Sequence, residues 1–191
     1  MSSIFFHSRS TTWTLHPNYV NTDVENGNDI AVIDIRGKGL TLSNTIKPVC
    51  KPTARPVLND VLTIMGWGLT EAGTISPVLK RVSIMIYFLF ERLANNCPCF
   101  QGKTTVRDND AECALLRFTG ICTKPDAAQA EAGLTCGGDS GSSVGAIRDG
   151  NFEIDGLVSF GDAPCDLFGA HTPVFEFINW VEANIAGSSW E

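Results

Sequence analysis

The chain holds 191 residues, with 14 Lys and Arg against 21 Asp and Glu, for a formal net charge of −7. An acidic balance of this kind argues against a nucleic-acid binder, which needs a basic face to neutralise phosphates. With 43% apolar and 18% charged residues, the sequence is too apolar for a disordered tail and suits one globular domain or two small lobes.

The first forty residues alternate apolar and polar around Trp13 and Leu15, turn at His16-Pro17-Asn18, and run on through Ile30-Ala31-Val32-Ile33-Asp34-Ile35 to Gly37. This pattern predicts strand, turn, strand. Pro48, Pro52 and Pro56 then mark an extended connector, because proline fixes φ and cannot donate to a ladder. Val61 to Met65 predicts a further strand, ended by Gly66-Trp67-Gly68, where flanking glycines let the backbone turn around one large ring. Leu79 to Tyr87 predicts another. The longest apolar run, Val82 to Phe90 with Ser83 its one polar residue, falls short of the ~20 residues that a membrane-spanning helix needs. From Phe90 to Gln129 the pattern weakens, and Cys97, Cys99, Cys113 and Cys122 sit among Asn, Asp and Pro as in a loop-rich, cross-linked region. Strands resume at Val144 to Ile147 and Ile154 to Phe160. Phe175, Ile178, Val181 and Ile185 recur at helical spacing, which predicts an amphipathic C-terminal helix. Thr172-Pro173 either caps that helix or ends a preceding strand.

Seven cysteines point to an oxidising compartment, and the odd count leaves at least one thiol free, paired between chains or paired outside this sequence. The stretch from Met1 to Leu15 is interrupted by His7, Ser8, Arg9 and Ser10, so no signal peptide is predicted within it. Cys97-Pro98-Cys99 lacks the second pair or the histidine that tetrahedral metal binding requires, so no metal site is predicted. No cofactor is expected either.

The sharpest chemical signal is Cys136-Gly137-Gly138-Asp139-Ser140-Gly141. A serine among glycines lets the backbone approach a substrate carbonyl, with the amides of Gly138 and Ser140 able to face a developing oxyanion. The competing reading is a glycine-rich turn with an incidental serine.

Gly138-Asp139-Ser140-Gly141 resembles the nucleophile motif of the chymotrypsin/trypsin-like serine endopeptidases, and Asn28-Asp29-Ile30-Ala31-Val32 resembles their segment carrying the triad aspartate. Trp67 between glycines, Leu157-Val158-Ser159-Phe160-Gly161, and Phe175 through Trp180 to Ile185 match further landmarks in order, over nearly the whole chain. The resemblance implies an all-β, chymotrypsin-like double β-barrel with the first barrel incomplete and a C-terminal α-helix. It divides the chain into a first-barrel remnant (1–47), a connector (48–60), a second barrel (61–174) and the helix (175–187).

By the same resemblance, Ser140 is the nucleophile, Asp29 the carboxylate that orients a histidine, and Gly138 and Ser140 the oxyanion donors. Substrate binding falls to Leu134 at the floor of a specificity pocket, to Gly161 and Gly169 in its walls, and to Ser159 and Phe160. Ser159 is also expected to hydrogen-bond near Asp29. An apolar floor with open walls implies cleavage after Phe, Tyr, Leu or Met. Cys136 and Cys165 are expected to form a disulfide, and Cys50 to bond a covalent partner segment. Cys122 is expected to pair with Cys97 or Cys99, with Cys113 competing. Leu62 and Ala146 stand at two positions where the family carries a further bridge, so the strands there are expected to pair without it.

The general-base histidine of this family precedes the aspartate by roughly forty-five residues, whereas twenty-eight precede Asp29. The base is therefore expected before Met1, with His7, His16 and His171 structural. Asp139, without the inserted N-terminus that the family pairs with it, is expected to stay solvated, to protonate or to leave its loop disordered. The implied function is a serine endopeptidase domain acting on polypeptide substrates or bound by polypeptide inhibitors, extracellular, and inactive or nearly so as written. The alternative is a non-catalytic protease homologue acting as a binding module.

Overall fold

The computed structural model describes residues 10–22, 24, 27–35, 40–57, 60–89, 120–125, 133–161, 165, 168–185 and 190. Two antiparallel strands, β1 (Ser10–Leu15) and β2 (Ala31–Ile35), form a separate sheet. Six more strands close a barrel: β3 (Val61–Gly66), β4 (Lys80–Leu89), β5 (Ile121–Pro125), β6 (Ser143–Arg148), β7 (Asn151–Gly161) and β8 (Gly169–Pro173). Their order around the barrel is β3-β4-β5-β8-β7-β6. A helix, α1 (Val174–Asn184), follows directly on β8. The expected all-β architecture is present, with one complete barrel and, among the described residues, two strands of the other. No described helix is long and apolar enough to cross a membrane.

The barrel core follows from period-two alternation. On β3, Leu62 and Ile64 point inward while Val61 faces water, and Ile84 and Ile86 of β4 meet them with Ile121, Val144 and Val158. β-Branched residues suit this role because their stiff side chains pack on a pleated surface. The β3–β6 register, Thr63 against Gly145 and Ile64 against Val144, sets Leu62 across from Ala146, and both join the same apolar cluster. Packing thus joins these strands where the family carries a bridge.

One strand differs from the sequence reading. Ile121–Pro125 falls within the stretch read as loop, yet Cys122 and Thr123 are buried and the segment pairs with both β4 and β8. Five residues that include Lys and Pro are too few for periodicity to register. Gly169–Pro173 is a strand as well, so Thr172-Pro173 ends β8, one of the two readings that the sequence left open, and Pro173 also occupies the N-cap of α1 without a side-chain cap bond.

The connector crosses the barrel in extended form. The Cys50 backbone bonds Phe152 and Ile154, and Thr53 bonds the buried Glu153 carboxylate through its amide and hydroxyl. Lys51 meets Glu182 at 3.0 Å and Arg55 meets Glu176 at 2.8 Å, so connector and helix brace each other. The imidazole of His16 packs edge-on against Phe177 and Trp180 at centroid distances of 5.1 and 5.0 Å. That contact ties the two-stranded sheet to α1, and desolvation lowers the His16 pKa.

Candidate functional site

The loop from Gly133 to Ser142 joins the barrel core to β6 and carries Ser140. Leu134 leans on the apolar core at its start. Cys136 then forms the expected disulfide with Cys165, which fastens the loop to the segment beyond β7. A tight turn follows, in which the Asp139 amide donates to the Cys136 carbonyl at 3.0 Å and the Ser142 amide to the Asp139 carbonyl at 2.9 Å. Gly138 takes φ 97°, a conformation that side chains oppose.

Asp139 departs from the first of its expected outcomes: its side chain is buried rather than solvated by water. It accepts the Gly68 amide at 2.7 Å and the Cys136 amide at 3.1 Å. Two backbone donors supply the solvation that burial removes, which a carboxylate requires. Gly66 and Gly68 make this possible, because a Cβ on either would overlap the Asp139 carboxylate. The far side of the loop is fastened to β7, with the Gly141 amide on the Val158 carbonyl at 2.8 Å and the Val158 amide on the Ser142 carbonyl at 2.9 Å. Ser140 is left exposed between these anchors. Among the described residues, the amides of Gly138 and Ser140 donate to no protein acceptor.

Asp29 reaches the same part of the barrel from the other sheet. It follows Gly27 and Asn28, both at positive φ, a turn that glycine and asparagine tolerate. The Ser159 hydroxyl donates to Asp29 Oδ2 at 2.7 Å, and the Thr172 hydroxyl donates to the Asp29 carbonyl at 2.9 Å. Ser159 adjoins Val158, which holds the Ser140 loop. The serine loop and the carboxylate are therefore both fixed to one dipeptide of β7. The sequence singled out Ser159, whereas a threonine among ordinary strand residues gave no signal for Thr172.

No hydrogen bond joins His16 or His171 to Ser140 or Asp29 among the described residues. His16 accepts the Asn18 amide on Nδ1 at 3.3 Å. His171 is fully buried in β8, its Nε2 2.7 Å from the Thr123 hydroxyl and its Nδ1 without a partner. Burial holds its pKa down to about 3. His7 lies outside the described residues.

The expected pocket residues lie on β7, β8 and the serine loop. Gly161 pairs with Gly169 across the β7–β8 ladder, and Phe160 meets Phe168 edge-on at 6.5 Å. A Cβ on Gly169 would stand 3.0 Å from His171 Cε1 and 3.2 Å from Thr123 Oγ1. The buried Thr123–His171 pair thus packs against Gly169, and Thr123 went unrecognised because β5 did. Cys50 is a free, half-buried thiol, and Cys122 is disulfide-bonded. Cys97, Cys99 and Cys113, with the Cys-Pro-Cys motif, lie outside the described residues. Among the described residues, no three potential metal ligands cluster.

A family model described as Trypsin matches residues 6–181. The chain is 27% identical to vitamin K-dependent protein C of Oryctolagus cuniculus, over 90% of this chain and 36% of that protein. It is 28% identical to CLIP domain-containing serine protease B4 of Anopheles gambiae, over 90% of this chain and 45% of that protein. It is 31% identical to the thrombin-like enzyme acutin of Deinagkistrodon acutus, over 91% of this chain and 65% of that protein. The chain thus spans about a third to two thirds of the length of these relatives.

Proposed function

The chain belongs to the trypsin family, and from that premise we propose that it is a serine endopeptidase domain whose nucleophile is Ser140. The family acts on polypeptides. In this reading Asp29 orients a catalytic imidazole, and the amides of Gly138 and Ser140 receive the oxyanion that forms when the hydroxyl attacks a peptide carbonyl. The observation that carries the proposal is the joint fastening of the Ser140 loop and the Asp29 carboxylate to Val158 and Ser159, at 2.8 and 2.7 Å. The backbone-solvated Asp139 supports it, because a braced loop keeps both donors aligned without reorganisation.

The side chain before the scissile bond is large and apolar. Leu134 forms the pocket floor, Gly161 and Gly169 leave its walls open, and Phe160 lines the approach. An apolar floor offers a guanidinium no counter-charge, so Arg and Lys are disfavoured. Cys50 is available to a covalent partner segment. The Cys136–Cys165 disulfide suits an extracellular or otherwise oxidising compartment.

Turnover also needs an imidazole. Neither His16 nor His171 bonds Ser140 or Asp29 among the described residues, so on the reading that His7 too is structural the chain hydrolyses esters at a negligible rate, and a base added in solution raises it. The test is hydrolysis of peptide esters ending in Phe and in Arg, without and with added imidazole, by the wild type, Ser140→Ala and His7→Ala. Imidazole-dependent cleavage of the Phe ester that Ser140→Ala abolishes is the expected result. Brisk turnover without imidazole that His7→Ala removes would assign the base to His7. No Ser140-dependent turnover under any condition would favour the binding-module alternative, for which the lack of a histidine partner to Ser140 among the described residues already speaks.

A further inference from the structure

Carboxylates as well as backbone fasten the connector to the barrel. Glu153 of β7, a buried residue, accepts both the Thr53 amide and the Thr53 hydroxyl on Oε2 at 3.2 Å. Asp60, just ahead of β3, accepts the Val57 amide at 2.8 Å. The ion pairs from the connector to α1, Lys51 with Glu182 and Arg55 with Glu176, lie at exposed positions, where water and salt leave such pairs little weight. Between Thr53 and Val57 the hold on the barrel therefore depends on two carboxylates.

Those two share one cation with a third carboxylate. Arg148 of β6 gives both terminal nitrogens to Asp155 of β7, at 3.1 and 2.9 Å, and reaches Glu153 only at 3.5 Å. Asp155 has no exposed surface, whereas the Arg148 side chain is 30% exposed, so the group borders on water. The charges that act on Asp155 are those of Arg148 on β6, Glu153 on its own strand and Asp60 ahead of β3. One guanidinium against three carboxylates leaves the ionised group at −2 (1 − 3), and like charges at this depth repel with little screening. Desolvation first, then the charges of Glu153 and Asp60, raise the Asp155 pKa against the pull of Arg148. In the folded protein Asp155 thus takes up its proton at a higher pH than an ordinary aspartate does.

We propose that Arg148, Asp155, Glu153 and Asp60 form a proton-operated clasp on the connector. While ionised, Asp155 holds the guanidinium by two bonds and repels the carboxylates that hold Thr53 and Val57. One proton makes it a neutral acid, takes the cluster from −2 to −1 and releases the guanidinium to close on Glu153. The connector is then gripped more tightly. A carboxyl whose folded pKa is raised binds its proton in the folded state first, so mild acid strengthens the clasp, and a rise in pH through that folded pKa weakens it. Since the connector joins the sheet of Asp29 to the barrel of Ser140, the clasp ties the two more firmly in a mildly acidic compartment than at neutral pH.

Amide hydrogen exchange of the full chain tests this, followed by NMR from about pH 7.5 to about pH 5 and corrected for intrinsic rates. Protection of the Thr53 and Val57 amides should rise by about threefold to tenfold towards the acid end, the factor expected when a hydrogen bond to a charged group strengthens. The Gly141 amide, bonded to the Val158 carbonyl, should not follow. Asp155→Asn, which fixes the neutral form, should show the acid-end protection at every pH. Glu153→Gln should remove the response at Thr53 and keep it at Val57, which is held by Asp60. The clasp is overturned if Thr53 protection does not rise in the wild type, or if Gly141 rises equally, which would mark a change in global stability. It is overturned as well if Asp155→Asn responds to pH as the wild type does, or if the Thr53 response survives Glu153→Gln. Should either variant fail to fold, the wild-type titration decides alone.

Discussion

His171 enters the fold without the proton that it would carry in mildly acidic water. Burial holds its folded pKa at about 3, against an ordinary value of 6.5. Above pH 6.5 the ring is neutral in both states and adds no pH dependence. As the pH falls from 6.5 towards 3, the unfolded chain takes up a proton that the folded one refuses. Stability is therefore lost across that window, by at most about 1.4 kcal/mol per pH unit from this group. His171→Gln, which can still meet the Thr123 hydroxyl, should flatten this part of the profile. Urea midpoints of both proteins at pH 7 and pH 5 check the point: the wild type should lose more stability between the two, and equal losses would refute the assignment. The ring's burial was not legible beforehand, because a single histidine among Gly, Ala and Thr carries no mark of depth. The burial of Asp139 was not legible for a related reason. The sequence displayed its lack of a cationic partner but not the two backbone amides that replace one.

Within the strands the most exacting polar feature is the pairing of Arg148, at the end of β6, with Asp155 of β7. The guanidinium meets the carboxylate through two bonds, at 2.9 and 3.1 Å, and Asp155 has no exposed surface. Desolvation raises the Asp155 pKa, and the Arg148 hydrogen bond and charge oppose that shift. Removing one partner of a buried pair leaves an uncompensated charge, so Arg148→Ala should cost about 3–5 kcal/mol. Arg148→Met combined with Asp155→Leu should recover most of that loss, as read from denaturation midpoints. A mild effect of the single substitution would mean that water reaches Asp155 readily. Strands of this kind were legible wherever alternation ran long enough, as in β3, β6 and β7. They were not legible where five residues relied on neighbours on both sides, as in β5. The helix was read from Phe175, Ile178 and Val181, while Ile185, counted with them, stands at its C-cap.

At the scale of the molecule, the Cys136–Cys165 disulfide closes 29 residues of sequence that contain Ser140, β6 and β7. Cross-linking a loop of that length restricts the unfolded chain, so Cys136→Ala with Cys165→Ala should lower stability by about 2–4 kcal/mol. Thermal unfolding of both forms tests this, and an unchanged midpoint would assign the bond no more than a local role. Motif order made the barrel and the Ser140 loop legible. The meeting of Asp29 with Ser159, 130 residues apart, belongs to tertiary structure that a linear pattern only implies by resemblance. That separation also sets a schedule for a chain made from its N-terminus. The β1–β2 sheet turns Trp13, Leu15, Ile33 and Ile35 outward, and its fastenings on β7, β8 and α1 do not yet exist when it leaves the ribosome. At translation speeds of about 5–20 residues per second, the gap between Asp29 and Ser159 amounts to roughly 7–26 s. For that interval Asp29 and its sheet wait without the contacts that fix them, and a chaperone that shields the waiting strands would raise the yield of folded protein more than one acting after synthesis is complete.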